Sequence, residues 1–364
     1  MWTSRSPFAA VAITALVAAC GGGGDDGAVN PQPPPTPTYV KISAANQDTV
    51  ARASFTSAMA FVSVPVLPAS PSPVLAKASQ AGGASALGGH GGLTQLALRA
   101  VKSGSRQTVA PAGMARPLAQ QQLTEPCLVS GTMTVTWDDR DNSRTLTAGD
   151  TVSALFNQCD DDTGFTVNGG MAMAIATYSE TQTALDLTGS ATFQSLSMIG
   201  GWEAYKLDGG AAFRFTETLA AGGIDMFSSF TVASGGLTVV KQGDTAGFSD
   251  TFSYRAGYTV TDRDFSPTVQ GGSYWEEITA SGDFGSQALG GDLTLKTITP
   301  FKSVFTDPTG DIFPSQGQML VTGGEGTKLR LTATPTVQVQ MEVSYDSDDE
   351  WEYSGVRTWD WFFQ

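Results

Sequence analysis

The sequence predicts an all-β protein: a large antiparallel meander, as a curved sheet, a sandwich or a partly closed barrel, preceded by one helix and a disordered linker. Three observations carry this. After Leu123, apolar residues recur at every second position, as in Met133, Val135 and Trp137, in Phe252, Tyr254, Ala256, Tyr258 and Val260, and in Val337, Val339, Met341, Val343 and Tyr345. That alternation gives a strand one buried and one wet face, the pattern of antiparallel sheet and not of a parallel sheet buried on both sides. Next, 42 Gly and 18 Pro supply turns while 41% hydrophobic residues in a chain of 364 leave material for a sizeable core. Finally, Val167-Asn-Gly-Gly170, Leu187-Thr-Gly-Ser190 and Leu207-Asp-Gly-Gly210 recur every 20 residues. That spacing predicts a repeated hairpin of two short strands with Gly-containing turns.

The elements follow in order. Arg5 and the apolar run from Phe8 to Val17 form the charged and hydrophobic parts of an export signal. The run is far shorter than the about 20 apolar residues that span a bilayer. It ends in Leu16-Val17-Ala18-Ala19-Cys20, which resembles the lipobox of bacterial lipoproteins, where small residues precede a cysteine that is acylated and becomes the mature N-terminus. The resemblance implies a signal peptide over 1–19 and lipidation, palmitate included, at Cys20. Gly21 stands where Asp would retain such a protein in the inner membrane, so the implied address is the outer membrane of a Gram-negative bacterium. Residues 20–38, with Gly21 to Gly24 and Pro31-Gln-Pro-Pro-Pro-Thr-Pro37, read as a flexible and then extended tether.

Over 39–63, Val50, Ala53, Phe55, Ala58, Met59 and Phe61 recur near helical spacing, with Ser43 or Asn46 as N-cap. The helix lacks the Lys/Arg-rich face of a membrane-surface helix, so its stripe is expected to pack on the core. Residues 64–122 are Ala, Gly, Ser, Pro and Gln with few large apolar groups, too little to offset ordering entropy, and read as disordered linker. Residues 123–364 form the β domain, closed by a final strand that seals the core with the rings of Trp351, Tyr353, Trp359, Trp361, Phe362 and Phe363.

Chemistry-bearing groups are few. Cys127 and Cys159 flank two strand-like segments whose antiparallel pairing brings their outer ends together, so a disulfide is expected in an exported protein. In the loop between them, Asp139, Asp141, Ser143, Thr147 and Asp150 put oxygen side chains at positions 1, 3, 5, 9 and 12 of a twelve-residue stretch, with Thr145 at position 7, the spacing of calcium loops. Arg144 stands where an EF-hand has Gly, and Asp150 where it has Glu, so a solvated loop is the expectation and calcium the alternative. Asp160 to Asp162 and Asp346 to Glu350 are further acidic runs, expected in solvated loops. His90 sits among glycines that hold nothing in place, and Gly200-Gly201 and Gly271-Gly272 lack the Lys-Ser/Thr of a phosphate loop. Glu276 and Glu277 beside Trp275, and Glu352 near Trp351, are the best glycosidase carboxylates. Strand geometry turns Glu276 and Glu277 to opposite faces, so edge or surface charges are expected there.

The net charge of −15 excludes nucleic acid as a partner. No cofactor and no catalytic residue are expected. The lipobox, the oligo-Gly tether, the Cys127 to Cys159 pair around an acidic loop and the Asn-Gly strands together resemble uncharacterised β-rich outer-membrane lipoproteins of Gram-negative bacteria. The resemblance implies location and architecture, with the outer membrane as partner through N-terminal acyl chains. A non-enzymatic, lipid-anchored envelope protein displaying a β-rich binding or structural domain fits best, its partner another envelope protein. The alternatives are a carrier or chaperone for an apolar ligand and a carboxylate-based glycan hydrolase.

Overall fold

Strands adjacent in the sequence are adjacent in space almost throughout. The computed structural model describes residues 36–60, 121–127, 129–143, 145–160, 165–200, 203–243, 247–267, 272–305, 313–335, 338–348 and 350–363. Among these, β1 (Gln121–Pro126), β2 (Ser130–Asp138), β3 (Thr151–Asp160), β4 (Thr166–Glu180), β5 (Ala184–Ile199), β6 (Glu203–Ala220) and β7 (Gly223–Gly243) pair antiparallel in order. Then come β8 (Asp250–Tyr254), β9 (Thr259–Pro267), β10 (Tyr274–Ser286), β11 (Gly291–Phe305), β12 (Gln316–Thr322), β13 (Lys328–Thr334), β14 (Gln338–Ser344) and β15 (Tyr353–Thr358). All belong to one sheet, a single meander in place of two stacked ones, and no ladder among the described residues joins β1 to β15.

The strand expected to run unbroken from Phe252 to Val260 is split. Both β8 and β9 lie between β7 and β10: β8 pairs with residues 237–241 and 284–286, β9 with residues 223–231 and 275–281. They are two halves of one strand interrupted by a turn at residues 255–258, where the Arg255 amide donates to the Asp283 carbonyl (3.0 Å) and the Tyr258 amide to the Arg255 carbonyl (3.0 Å).

The glycine repeat has another origin than turns. Gly169 and Gly170, Gly189, and Gly209 and Gly210 lie inside β4, β5 and β6, strands of 15, 16 and 18 residues, so one period is one long strand plus its turn. Register shifts at Asn168/Gly170 and Gly209/Ala211 mark β-bulges. Gly169 (φ 99°) and Gly209 (φ 126°) take a backbone conformation disfavoured for L side chains. A Cβ on either would meet a carbonyl oxygen of the next strand at 2.2 or 2.5 Å.

Helix α1 (Gln47–Met59) falls within the expected span, of which residues 61–63 lie outside the described residues. Asn46 holds the N-cap position without a side-chain cap bond. Its Oδ1 accepts instead from the Ser43 amide (2.8 Å), and its Nδ2 donates to the Lys41 carbonyl (3.0 Å), which ties down the entry loop. Burial is not confined to the expected stripe, because Ser54, Thr56 and Ser57 are buried along with Val50, Ala51, Ala53, Phe55 and Ala58. Short side chains make this helix thin enough to be enclosed. Tyr254 of β8 donates to the Ser57 carbonyl (2.9 Å), and Phe55 packs on Phe301 of β11 and on Trp359 and Phe362. With β8 and β9 sharing one place, six spacings of about 4.8 Å, about 29 Å in all, separate β8 from β15, so these strands must curl to meet one helix about 10 Å across.

The C-terminal rings do seal this core, but not from a strand. β15 ends at Thr358, and of the two fully buried rings Trp359 sits on the turn that enters α2 (Asp360–Phe363) and Phe362 within α2. Trp361 packs edge-on against Phe362 at the margin of this core, beneath the Arg52 guanidinium at 4.3 Å, and Trp351 lies under the guanidinium of Arg330, also at 4.3 Å.

Candidate functional site

Alternation along β9 turns Val260, Asp262, Asp264 and Ser266 inward and Arg263 outward. On β10 the same rule turns Glu276, Ile278 and Ala280 inward. The β9–β10 register sets Asp264 opposite Glu276 and Asp262 opposite Ile278. Three carboxylates therefore converge on the inner face, and each offers an oxygen within 4.8 Å of the others. Asp262 is 6% exposed and Glu276 4%, and Asp264 is partly buried. The ladder places Met226 and Ser228 of β7 beside Asp264 and Asp262, and Ser303 of β11 beside Glu276, with both serines buried. Glu217 of β6 lies one strand further, opposite Met226.

The electrostatics of this cluster are unfavourable as it stands. Burial pushes the Asp264 carboxyl up to about 7. It drives Asp262 and Glu276 well above the usual carboxylate range, and the charge of Asp264 raises both further. Asp262 Oδ1 and Glu276 Oε1 are buried with no hydrogen-bond partner. Such an atom ordinarily costs about 1–3 kcal/mol and is uncommon in a folded protein.

The outer face of the same strands carries the opposite arrangement. Arg263 pairs with Asp225 (2.6 Å), Lys302 with Glu277 (2.6 Å), and Phe265 stacks on Trp275 at 5.9 Å. Glu276 and Glu277 thus face opposite ways as expected, but Glu276 is neither an edge nor a surface charge, since β10 is flanked on both sides and its inner face is covered. Asp262 and Asp264 were not singled out by the sequence.

Comparison with protein-family models, with curated proteins and with solved structures returns no match.

At the other end of the sheet, Cys127 and Cys159 form a disulfide with their Cα atoms 5.4 Å apart. In the loop between β2 and β3 the structure brings Asp139, Asp141 and Asp150 within 4.8 Å of one another. Arg144 lies outside the described residues. These oxygens already have protein donors. Asp150 accepts from the Arg140 and Thr147 amides (3.1 and 2.9 Å), Asp139 from the Ser143 amide (3.1 Å), and Asp141 from the Ser143 amide and the Thr147 hydroxyl (2.9 Å each). Hydrogen bonds from Ser143 and Thr147 hold the Asp141 carboxyl down at about 2. The Ser143 and Thr145 hydroxyls bond within their own turn, Ser143 Oγ donating to the Thr145 carbonyl (2.8 Å) and Thr145 Oγ1 to Ser143 Oγ (3.2 Å). A loop already satisfied in this way gains little from an ion. Substituting Asp139→Ala together with Asp150→Ala is expected to change the calcium-induced shift in melting temperature by under about 2 °C, read by differential scanning calorimetry. A larger loss of the shift would make this a calcium loop.

The third acidic group, Asp346, Asp348 and Glu352, is exposed, and its oxygens accept from loop amides. Cys20, His90, Asp161, Asp162, Gly201 and Gly271 lie outside the described residues.

Proposed function

We propose that this chain is a lipid-anchored protein of the outer membrane whose β-rich domain serves, without enzymatic activity, as a binding or structural module for another envelope component. The observation that carries the anchor is Leu16-Val17-Ala18-Ala19-Cys20 followed at once by the Gly- and Pro-rich tether. More than one acyl chain on a single residue holds a protein firmly where one chain binds marginally. No helix among the described residues is long and apolar enough to cross a membrane.

Two features favour a module over the alternatives. The inner face of β8 to β15 is occupied by α1 and the rings around Phe55, the place an apolar cargo would need. The inward carboxylates Asp262 and Glu276 are too enclosed to reach a glycosidic bond, and Glu277 on the outside is neutralised by Lys302.

The test is fractionation of cells making the wild-type chain or Cys20→Ala. The wild type is expected to stay with membranes through high salt and carbonate, and the variant to appear in the soluble fraction. A variant that sediments as firmly as the wild type would remove the anchor from this reading.

A further inference from the structure

We propose that Asp262, Asp264 and Glu276 form a buried site for a hard divalent cation, calcium being the ion that suits them, and that the ion ties β9 to β10 at the centre of the sheet.

The argument starts from the two partnerless oxygens. A protein does not ordinarily bury Asp262 Oδ1 and Glu276 Oε1 without donors, and here they are aimed into the same cluster as a third carboxylate. As bare carboxylates these oxygens can only accept, and no protein donor is bonded to either atom. An ion would give them a shared partner. Calcium binds oxygens at about 2.3–2.6 Å, so its ligands stand no more than about 5 Å apart, a condition that three oxygens mutually within 4.8 Å meet.

The surroundings fit the same ion. The inner-face residues that the ladder sets beside the cluster are Met226, Ser228, Ile278, Phe301 and Ser303, with Glu217 beyond Met226, and none brings a positive charge. The basic groups of these strands, Arg263 and Lys302, are on the other face and paired there. Ser228 and Ser303 add hydroxyl oxygens on the inner side, and a donor set of oxygen alone selects calcium over the metals that prefer imidazole or thiolate. Magnesium, which keeps several waters, suits a site this enclosed less well. The raised carboxyls agree: three acids that burial makes reluctant to ionise are ones that a bound cation would hold ionised.

The experiment compares purified full-length protein, freed of metal with EDTA, with the same protein in millimolar CaCl2. Calcium is expected to raise the melting temperature by about 5–10 °C, the shift for an ion at about a hundred times its Kd, and metal analysis is expected to find one tightly held calcium per chain. The variant Asp262→Asn with Glu276→Gln removes the repulsion as well as the ligands. It should melt above the wild type in EDTA, below it in calcium, and hold no ion. If that variant does not fold, Asp264→Asn, at the more exposed member of the cluster, should weaken calcium binding by at least about tenfold. A wild-type shift under about 2 °C, a shift that survives loss of these carboxylates, or a metal-free protein that gains stability only on acidification would overturn the site.

Discussion

Trp359→Ala is expected to destabilise the domain by about 3–5 kcal/mol, the usual range for removing a large ring from a packed interior. The indole is 1% exposed and sits among rings from the helix, β11, the segment before β12 and α2. Its ring centroid lies 5.0 Å from Phe55 of the helix, 6.2 Å from Phe301 of β11, 6.3 Å from Phe313 and 5.8 Å from Phe362 of α2. Its Nε1 donates to the Pro314 carbonyl (3.2 Å), so truncation leaves a buried acceptor unpaired as well as a cavity. At about 2–4 °C per kcal/mol for a domain of this size, the melting temperature should fall by about 6–20 °C. Trp351→Ala is the control, because that ring is half-buried and rests on Arg330, a contact worth about 1 kcal/mol. Equal losses at both positions would show that Trp359 is not the joint between helix, sheet and C-terminus.

Removing the disulfide is expected to cost roughly 3–4 kcal/mol, from a chain-entropy estimate for its separation of 32 residues. Cys127 and Cys159 lie at the start of the meander, where among the described residues β1 has a ladder on one side alone, so the covalent link adds support that central strands obtain from both flanks. Cys127→Ser with Cys159→Ser, unfolded in urea beside the wild type, should show the difference as a lower midpoint with little change in slope. A loss under about 1 kcal/mol would mean that the β2–β3 ladder suffices.

Much of this architecture is legible in the residues. Period two predicts the strands because one face of each is wet, and the two cysteines are legible because hairpin pairing fixes which ends meet. The glycine repeat misleads, since a glycine that opens a bulge and a glycine that makes a turn look the same in a sequence, and the partner carbonyl beside Gly169 is visible only in three dimensions. Similarly, Trp359-Asp-Trp361 alternates like a strand, yet its rings reach the core from a helical turn.

The acidic triad is a different failure. The even-numbered positions that run Phe252, Tyr254, Tyr258, Val260 continue as Asp262 and Asp264, and a reading that places only apolar residues inside stops where the acids begin. The signal was the parity of Tyr258 and Val260, which carries on from the turn into the two acids. What no sequence pattern supplies is the pairing of Asp264 with Glu276, because Glu276 and Glu277 are chemically alike and only the register tells which one points inward.

The enclosure of α1 bears on the order in which the parts are secured. Each hairpin of the meander closes a short loop, at small entropic cost and high speed. The contacts of α1 reach across the whole chain: Tyr254 to Ser57 spans 197 positions, Tyr345 to Gln47 spans 298, and Arg357 to Asp48 spans 309. Synthesis runs from the N-terminus, so the helix is made before any of the described strands, and its last partners come only with β15 and α2. The segment made first is the one anchored last, and the interior that it fills stays open until the whole polypeptide has arrived.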